Sequence, residues 1–180
     1  EKQQVAEAKA QKERVCARST EAFFQLFFRK APRSAVMNMW PQQRDEGFID
    51  FDLEASDASG MTFLHHAARE GYEEILVDLL KECRRLANTT TYSCKKPGCW
   101  TALQCLADIG VDDRYINSHA SMAKILVEHM SQAAVFNVTT NHTCVFHQLV
   151  SHGHDETLQV LLYQCASARL SKAITWCFRD

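Results

Sequence analysis

The feature that most constrains the fold is an apolar pattern over residues 57–80, which predicts one turn and two short antiparallel helices. Ser59-Gly60 makes the turn, and Gly71 ends the first helix at a position that needs left-handed backbone. The apolar residues recur at helical spacing, with Leu64, Ala67 and Ala68 in the first helix and Ile75, Leu76, Leu79 and Leu80 in the second. Neither helix is long enough to be stable alone, so each must bury its apolar stripe against a neighbour.

The same stretch resembles the ankyrin repeat. The signature of that repeat is Thr-Pro-Leu-His-x-Ala, and Thr62-Phe63-Leu64-His65-His66-Ala67 keeps every position except the proline. The resemblance implies a turn and two helices per unit, with Thr62 and His65 tying the turn to the first helix by hydrogen bonds. It also implies that successive units stack into a helical solenoid.

Two further copies of the pattern follow. Residues 101–110 repeat residues 62–71, with Gln104 in place of His65, and residues 111–118 are an insertion between the two helices of this copy. The third copy aligns on a histidine and a glycine and has Cys144 in place of the threonine. The structural positions that the resemblance implies are Thr62, His65, Gly71, Thr101, Gly110, His147 and Gly153.

The predicted fold class is all-α, a solenoid of stacked ankyrin-like helix-turn-helix repeats with finger loops and an amino-terminal helical extension. Residues 1–18 have a strongly helix-forming composition, typical either of a solvated extension or of an arm that docks on a partner. The remaining predicted segments are a degenerate capping helix pair with a first finger (19–56), three repeats (57–96, 97–139 and 140–165) and a capping helix (166–180). Within the first of these, Ser19 or Thr20 is expected to begin a new helix and Pro41 to end the next.

Composition excludes some classes of protein and favours others. A formal charge of −2 argues against a generic nucleic-acid-binding protein. The sequence contains no run of about 18 apolar residues, so it predicts no transmembrane segment. Three of the eight cysteines (Cys105, Cys165 and Cys177) lie in apolar helical patterns, which favours buried free thiols over a disulfide framework. Without a visible signal peptide, the glycosylation sequons at Asn88, Asn137 and Asn141 are interpreted as chance occurrences, and we expect an intracellular location. A removed targeting segment is compatible with a chain that starts at Glu1.

No motif in the sequence predicts catalysis. The adjacent residues His65 and His66 do not make a catalytic site, because His65 has a structural role in the repeat. Cys94, Cys99 and Cys105, with His119 or His129 downstream, invite a zinc site, but the spacing of the cysteines is not that of a standard ligand pair. An oxidisable pair of Cys94 and Cys99 is the alternative. We therefore expect a non-enzymatic protein without a metal or cofactor.

The function that the resemblance implies is protein–protein interaction, as an adaptor or a structural (linker) subunit of a larger assembly. The alternatives are a regulatory ankyrin domain of a larger enzyme or channel, and a small redox- or metal-sensing protein that uses loop cysteines. Family resemblance places a protein partner on the concave face and the finger tips. The expected partner-binding residues are Ser59, Met61, His66, Arg69, Glu70, Trp100, Asp108, Gln148, Ser151 and His152. Trp100 ranks first and Arg69 second, since aromatic and arginine side chains dominate interfaces; alternatively, Trp100 folds over the preceding loop (81–99) as a local lid.

Overall fold

Apolar residues at helical spacing, separated by short turns, give a helical structure. The computed structural model describes residues 2–28, 30–45, 52–91, 99–109, 116–139 and 143–167. Within these ranges the regular structure is helical, apart from one isolated antiparallel bridge between Thr90 and Thr101. The prediction of an all-α helical solenoid is confirmed. The chain divides into two compact units, Glu1–Asp57 and Ala58–Asp180.

The described residues of the first unit form two helices, α1 (Lys2–Phe28) and α2 (Arg33–Asp45). They pack through aromatic rings, since Phe23 on α1 lies 5.4 Å from Trp40 on α2 between ring centroids. Phe27 lies at the same distance from Phe23 within α1. The helix start predicted at Ser19 or Thr20 is wrong, because α1 is continuous there. The Thr20 hydroxyl instead accepts the backbone N–H of Asp52 at 3.1 Å.

The helix end predicted at Pro41 is also wrong, because α2 runs on to Asp45. A proline inside a helix removes one backbone hydrogen bond. Pro32 directly precedes the first turn of α2, and its carbonyl accepts the N–H of Ala35 at 2.8 Å.

The described residues of the second unit form three helix pairs and two short accessory helices. The first helices of the pairs are α3 (Phe63–Glu70), α5 (Ala102–Ala107) and α8 (Val145–His152). The second helices are α4 (Glu73–Glu82), α6 (Ile116–His129) and α9 (Asp155–Ser167). A 3-10 helix (Arg84–Asn88) follows α4, and α7 (Gln132–Val135) follows α6.

These helices form two layers. The first helices pack side by side, α3 on α5 and α5 on α8, and the second helices do the same, α4 on α6 and α6 on α9. Each first helix also packs on the second helix of its own pair. The core lies between the layers, and the burial predicted for the 57–80 stretch is confirmed: 2% or less of the surface is exposed at Leu64, Ala67, Ala68, Leu79 and Leu80.

The connections differ from the sequence-based expectation in three places. The segment predicted as a long loop (81–99) begins with the end of α4 and then forms a 3-10 helix. Leu86 and Ala87 in this 3-10 helix are completely buried. Helix α6 begins at Ile116, inside the expected insertion (111–118). Helix α7 was not predicted. The apolar residues of the expected capping helix, from Leu170 to Phe178, lie outside the described residues.

Candidate functional site

The start of α3 is fixed by a hydrogen-bond relay through His65. Its Nδ1 accepts the backbone N–H of Thr62 at 3.3 Å and the Thr62 hydroxyl at 2.8 Å. Its Nε2 donates to the carbonyl of Trp100 at 3.1 Å. Because a carbonyl can only accept, the proton of this imidazole lies on Nε2. His65 is completely buried, so the ring ties its own turn to the segment that begins the next repeat.

The start of α5 uses Gln104 for the same two contacts. The Gln104 Oε1 accepts the N–H of Thr101 at 3.0 Å, and the Gln104 Nε2 donates to the carbonyl of Asn137 at 3.0 Å. Asn137 returns a bond from its Nδ2 to the Gln104 Oε1 at 2.8 Å and a second to the carbonyl of Cys99 at 2.7 Å. An amide therefore replaces the imidazole in connecting one repeat to the next.

The start of α8 keeps the histidine and changes its partner. The Nδ1 of His147 accepts the N–H of Cys144 at 3.2 Å and lies 3.1 Å from the Cys144 sulfur. Cys144 is 1% exposed, so the thiol contact is closed to solvent. The turn contact of the repeat therefore persists with sulfur in place of a hydroxyl.

Gly71 and Gly153 end α3 and α8 with left-handed backbone, at φ of 75° and 73°. A Cβ at Gly153 would meet no atom within 4 Å, so the backbone angle, not space, is what requires glycine there. Gly110, the equivalent position of the second copy, lies outside the described residues.

Trp100 is held by its backbone on both sides. Its N–H donates to the Thr91 hydroxyl at 3.1 Å, and its carbonyl accepts the N–H of Thr91 at 2.9 Å. The same carbonyl accepts from His65, as described above. The Trp100 side chain is partly exposed. Its backbone is held by these hydrogen bonds next to the starts of α3 and α5.

Arg69 is held by three neighbours near the end of α3. Its Nη1 lies 3.4 Å from the sulfur of Met61, its Nη2 lies 3.3 Å from the Nδ1 of His66, and its Nε lies 3.1 Å from a carboxylate oxygen of Glu70. The side chain of Arg69 remains 40% exposed and that of Glu70 41% exposed. This arrangement presents a guanidinium in a defined position at the surface.

The expected partner-binding residues fall into three groups by burial. Five of them are exposed: Ser59, Glu70, Asp108, Ser151 and His152. Arg69 and Trp100 are partly exposed. The exposure expected for Met61, His66 and Gln148 is wrong, because they retain 9%, 1% and 7% of their surface.

The buried polar positions share a place in their helices. His66 and Gln148 both lie four residues after the residue that caps their helix, and Cys105 at the same position of α5 is also buried, at 4%. This position is therefore covered in all three first helices. Met61 and His66 both contact the guanidinium of Arg69.

The described ranges also bear on the metal, thiol and membrane predictions. No three His, Cys, Asp or Glu side chains among them are grouped so that they could hold a metal ion. Cys99 is an exposed free thiol, whereas Cys94 lies outside the described residues and the Cys94–Cys99 pair stays a prediction. Nor does any described helix combine the length and apolar composition that a bilayer span requires.

Sequence reasoning did not identify one further cluster, a pair of buried histidines between α6 and α9. His119 and His154 face each other there with 5.3 Å between ring centroids. Burial, and secondarily His154, lower the pKa of His119. His119 carries no local signal, because it lies in an ordinary helical segment and its partner is 35 residues further along the chain.

The comparison with known protein families agrees with these contacts. Residues 59–90 match the sequence profile described as the ankyrin repeat. A comparison with curated proteins finds no significant match. The matched residues contain α3, α4, the 3-10 helix and the Thr62–His65 relay. Ankyrin repeats are units of protein–protein interaction. Residues 59–90 are therefore similar in sequence to an ankyrin repeat, and the helix pairs that follow them in the described chain continue the same helical stack.

Proposed function

We propose that this chain is a non-enzymatic protein-binding module, an adaptor or a linker subunit of a larger assembly. The observation that carries the proposal is the coincidence of the ankyrin match with a helix pair whose apolar residues are buried and whose first helix ends in exposed, charged side chains. Stacked repeats offer an extended surface that needs no pocket. The partner is a protein, and neither nucleic acid nor a cofactor is required.

Arg69 is one proposed anchor of the binding surface. An arginine contributes most when its geometry is set before the partner arrives, because less side-chain freedom is lost on binding. The contacts with Met61, His66 and Glu70 supply that constraint. A carboxylate on the partner could replace Glu70 at the guanidinium without moving it.

Trp100 is the second proposed anchor. Its backbone is bonded to Thr91 and His65, so a partner that covers the indole does not have to order the segment that carries it. Aromatic side chains that are partly exposed on an ordered backbone are frequent binding hot spots. Ser59, Asp108, Ser151 and His152 would extend the surface as polar contacts around the two anchors.

The test is a double substitution, Arg69→Ala with Trp100→Ala, in the 180-residue chain. Native complexes that contain the chain are first isolated by affinity purification and the partner is identified. Binding of that partner to the double variant should weaken at least tenfold, which corresponds to about 1.4 kcal/mol, with a melting temperature close to that of the parent.

The matched control lies on the other layer. Lys124 and Glu128 are both exposed on α6, and their double alanine variant should bind as the parent does. If the α6 variant loses binding and the Arg69 and Trp100 variant does not, the interface belongs to the second-helix layer and the proposed surface is wrong.

We also propose an intracellular, reducing location. Cys105, Cys144 and Cys165 are buried free thiols, and burial raises the pKa of Cys165, which favours the unreactive thiol form. The amide nitrogen of Asn137 donates to two acceptors, which supports an unmodified sequon. Fluorescence imaging of the tagged protein and mass analysis for glycans test this proposal; secretion with a glycan at Asn137 would refute it.

A further inference from the structure

Two buried histidines join the second and third helix pairs. His119 on α6 is 2% exposed and His154, the residue before α9, is 5% exposed. Their rings meet edge to face, with 5.3 Å between centroids. The Nε2 of His154 donates to the carbonyl of Ile109, which follows α5. The pair therefore lies at the junction where α9 docks on α6 and where the third helix pair is bonded to the end of α5.

One nitrogen of this pair lacks a hydrogen-bond partner. The Nδ1 of His119 is buried and has none among the described residues. A neutral imidazole tolerates this position at a modest cost, whereas an imidazolium would bring an additional N–H and a full charge into a site without an acceptor. The edge-to-face contact with His154 places a second titratable ring against the same site. The junction is thus suited to neutral histidines only.

None of the described charged side chains on the surrounding elements is hydrogen-bonded to the Nδ1 of His119. Helix α4 presents Glu73 to α6, where its carboxylate accepts the Ser121 hydroxyl at 2.6 Å. The 3-10 helix presents Arg84, which donates to the carbonyl of Glu128 at 3.3 Å.

Asp78 on α4 is buried, at 8% exposed, and pairs with Lys81 at 3.6 Å. Several other charged groups on the elements around the junction are exposed. Asp108 at the end of α5, Asp155 and Glu156 at the start of α9, and Lys124 on α6 are exposed. The ring of His152 at the end of α8 lies 6.4 Å from the ring of His154 between centroids. The pKa of His119 is accordingly lowered by burial and secondarily by His154.

We propose that His119 and His154 make this junction an acid-sensitive latch, closed when the two imidazoles are neutral and released as His119 takes up a proton. In the undocked state His119 regains water and titrates near its ordinary pKa of about 6.5. Below that pH the undocked state binds more protons than the docked one, so acid favours release. The stabilisation is complete above about pH 6.5 and is lost as pH falls toward the lowered pKa of the docked form. Release would separate α8 and α9 from the rest of the stack.

The test measures the unfolding of the 180-residue chain in urea at a series of pH values between 8 and 5. While one proton is being taken up, the equilibrium constant for the docked state should fall by up to about tenfold per pH unit. His119→Phe keeps a ring of similar shape without a titrating group, and this dependence should flatten in that variant. His119→Gln should flatten it as well. His129→Gln, a substitution at a partly exposed histidine of the same helix, is the control and should keep the parent slope.

Two further measurements keep the proposal testable if His119 variants fail to fold. NMR titration of the parent should show His119 protonating below the range of an exposed histidine. Amide exchange at pH 5.5, corrected for intrinsic rates, should show α8 and α9 losing protection before α3 and α4. A folded His119→Phe variant with the parent slope would overturn the latch, as would an ordinary pKa for His119 in the folded parent, or loss of protection in α3 first.

Discussion

Helices α3 and α5 hold equivalent places in successive repeats, yet they solve the same packing problem with different residues. Each pairs a position directly after the capping threonine with one four residues later, on the same helix face. In α3 these residues are Phe63 and Ala67, and in α5 they are Ala102 and Leu106; at most 1% of any of them is exposed. A large residue followed by a small one is thus exchanged for a small residue followed by a large one.

The hydrogen bonds at the starts of the two helices show the same exchange of residues. His65 and Gln104 both accept the N–H of their capping threonine and both donate to a carbonyl of the following segment, 35 and 33 residues away. What the repeat requires at this position is one side chain that carries both an acceptor for the threonine N–H and a donor for the distant carbonyl. The identity of the residue is secondary to that geometry, which explains how the second copy keeps the fold with a weaker sequence signature.

The largest effect is expected from Leu106→Ala. Removing this fully buried side chain from α5 leaves a cavity beside Ala102, and the free energy of unfolding should fall by about 2–5 kcal/mol. Urea denaturation measures the loss, with the exposed Asp108→Ala as a nearly silent control. Adding Ala102→Phe, which copies the arrangement of α3, should recover part of it. A double variant no more stable than Leu106→Ala would mean that the two helices do not exchange volume between these positions.

Gln104→Leu should be the next most destabilising change. It leaves the N–H of Thr101 and the carbonyl of Asn137 without their partner, and each orphaned group costs about 1–2 kcal/mol. The expected loss is therefore about 2–4 kcal/mol in the same denaturation experiment. Gln104→His restores the arrangement of α3 and should cost clearly less. If the histidine variant were as unstable as the leucine variant, the equivalence of imidazole and amide argued above would be wrong.

The parts of the structure that sequence could predict are those set by neighbours a few residues apart. Thr62 and His65 lie three positions apart, and Gly71 follows its helix directly, so local pattern predicts their roles. The partner of Gln104 could not be predicted, because Asn137 reaches it from beyond a helix and a connection of unusual length. His66 and Gln148 were expected at the surface because the pattern of one helix does not reveal which of its polar positions the surrounding elements cover.

Ala67→Leu tests the α3 side of the comparison. Three additional carbon atoms in a filled site should overpack α3 against its neighbours and cost about 1–3 kcal/mol. Thermal unfolding measures the change, with Glu70→Ala as an exposed control. Combining the substitution with Phe63→Ala reproduces the order found in α5, so the double variant should lose less than the sum of the two single losses. Strict additivity would show that residues 63 and 67 do not share one space.

The smallest effect is expected at the third helix start, where Cys144 stands in the place of Thr62 and Thr101. A thiol is a weaker hydrogen-bonding group than a hydroxyl, and Thr62 and Thr101 are themselves buried, at 5% and 0% exposed, so this type of site accommodates threonine. Cys144→Thr should therefore raise the free energy of unfolding by up to about 1 kcal/mol. The reciprocal Thr62→Cys should lower it by a similar amount, and Cys144→Val, which keeps the shape without the polar contact, should lower it as well. High-precision urea titrations under reducing conditions resolve differences of this size. A destabilised Cys144→Thr variant would indicate that the pocket around the sulfur, not its bond to His147, selects cysteine in the third repeat.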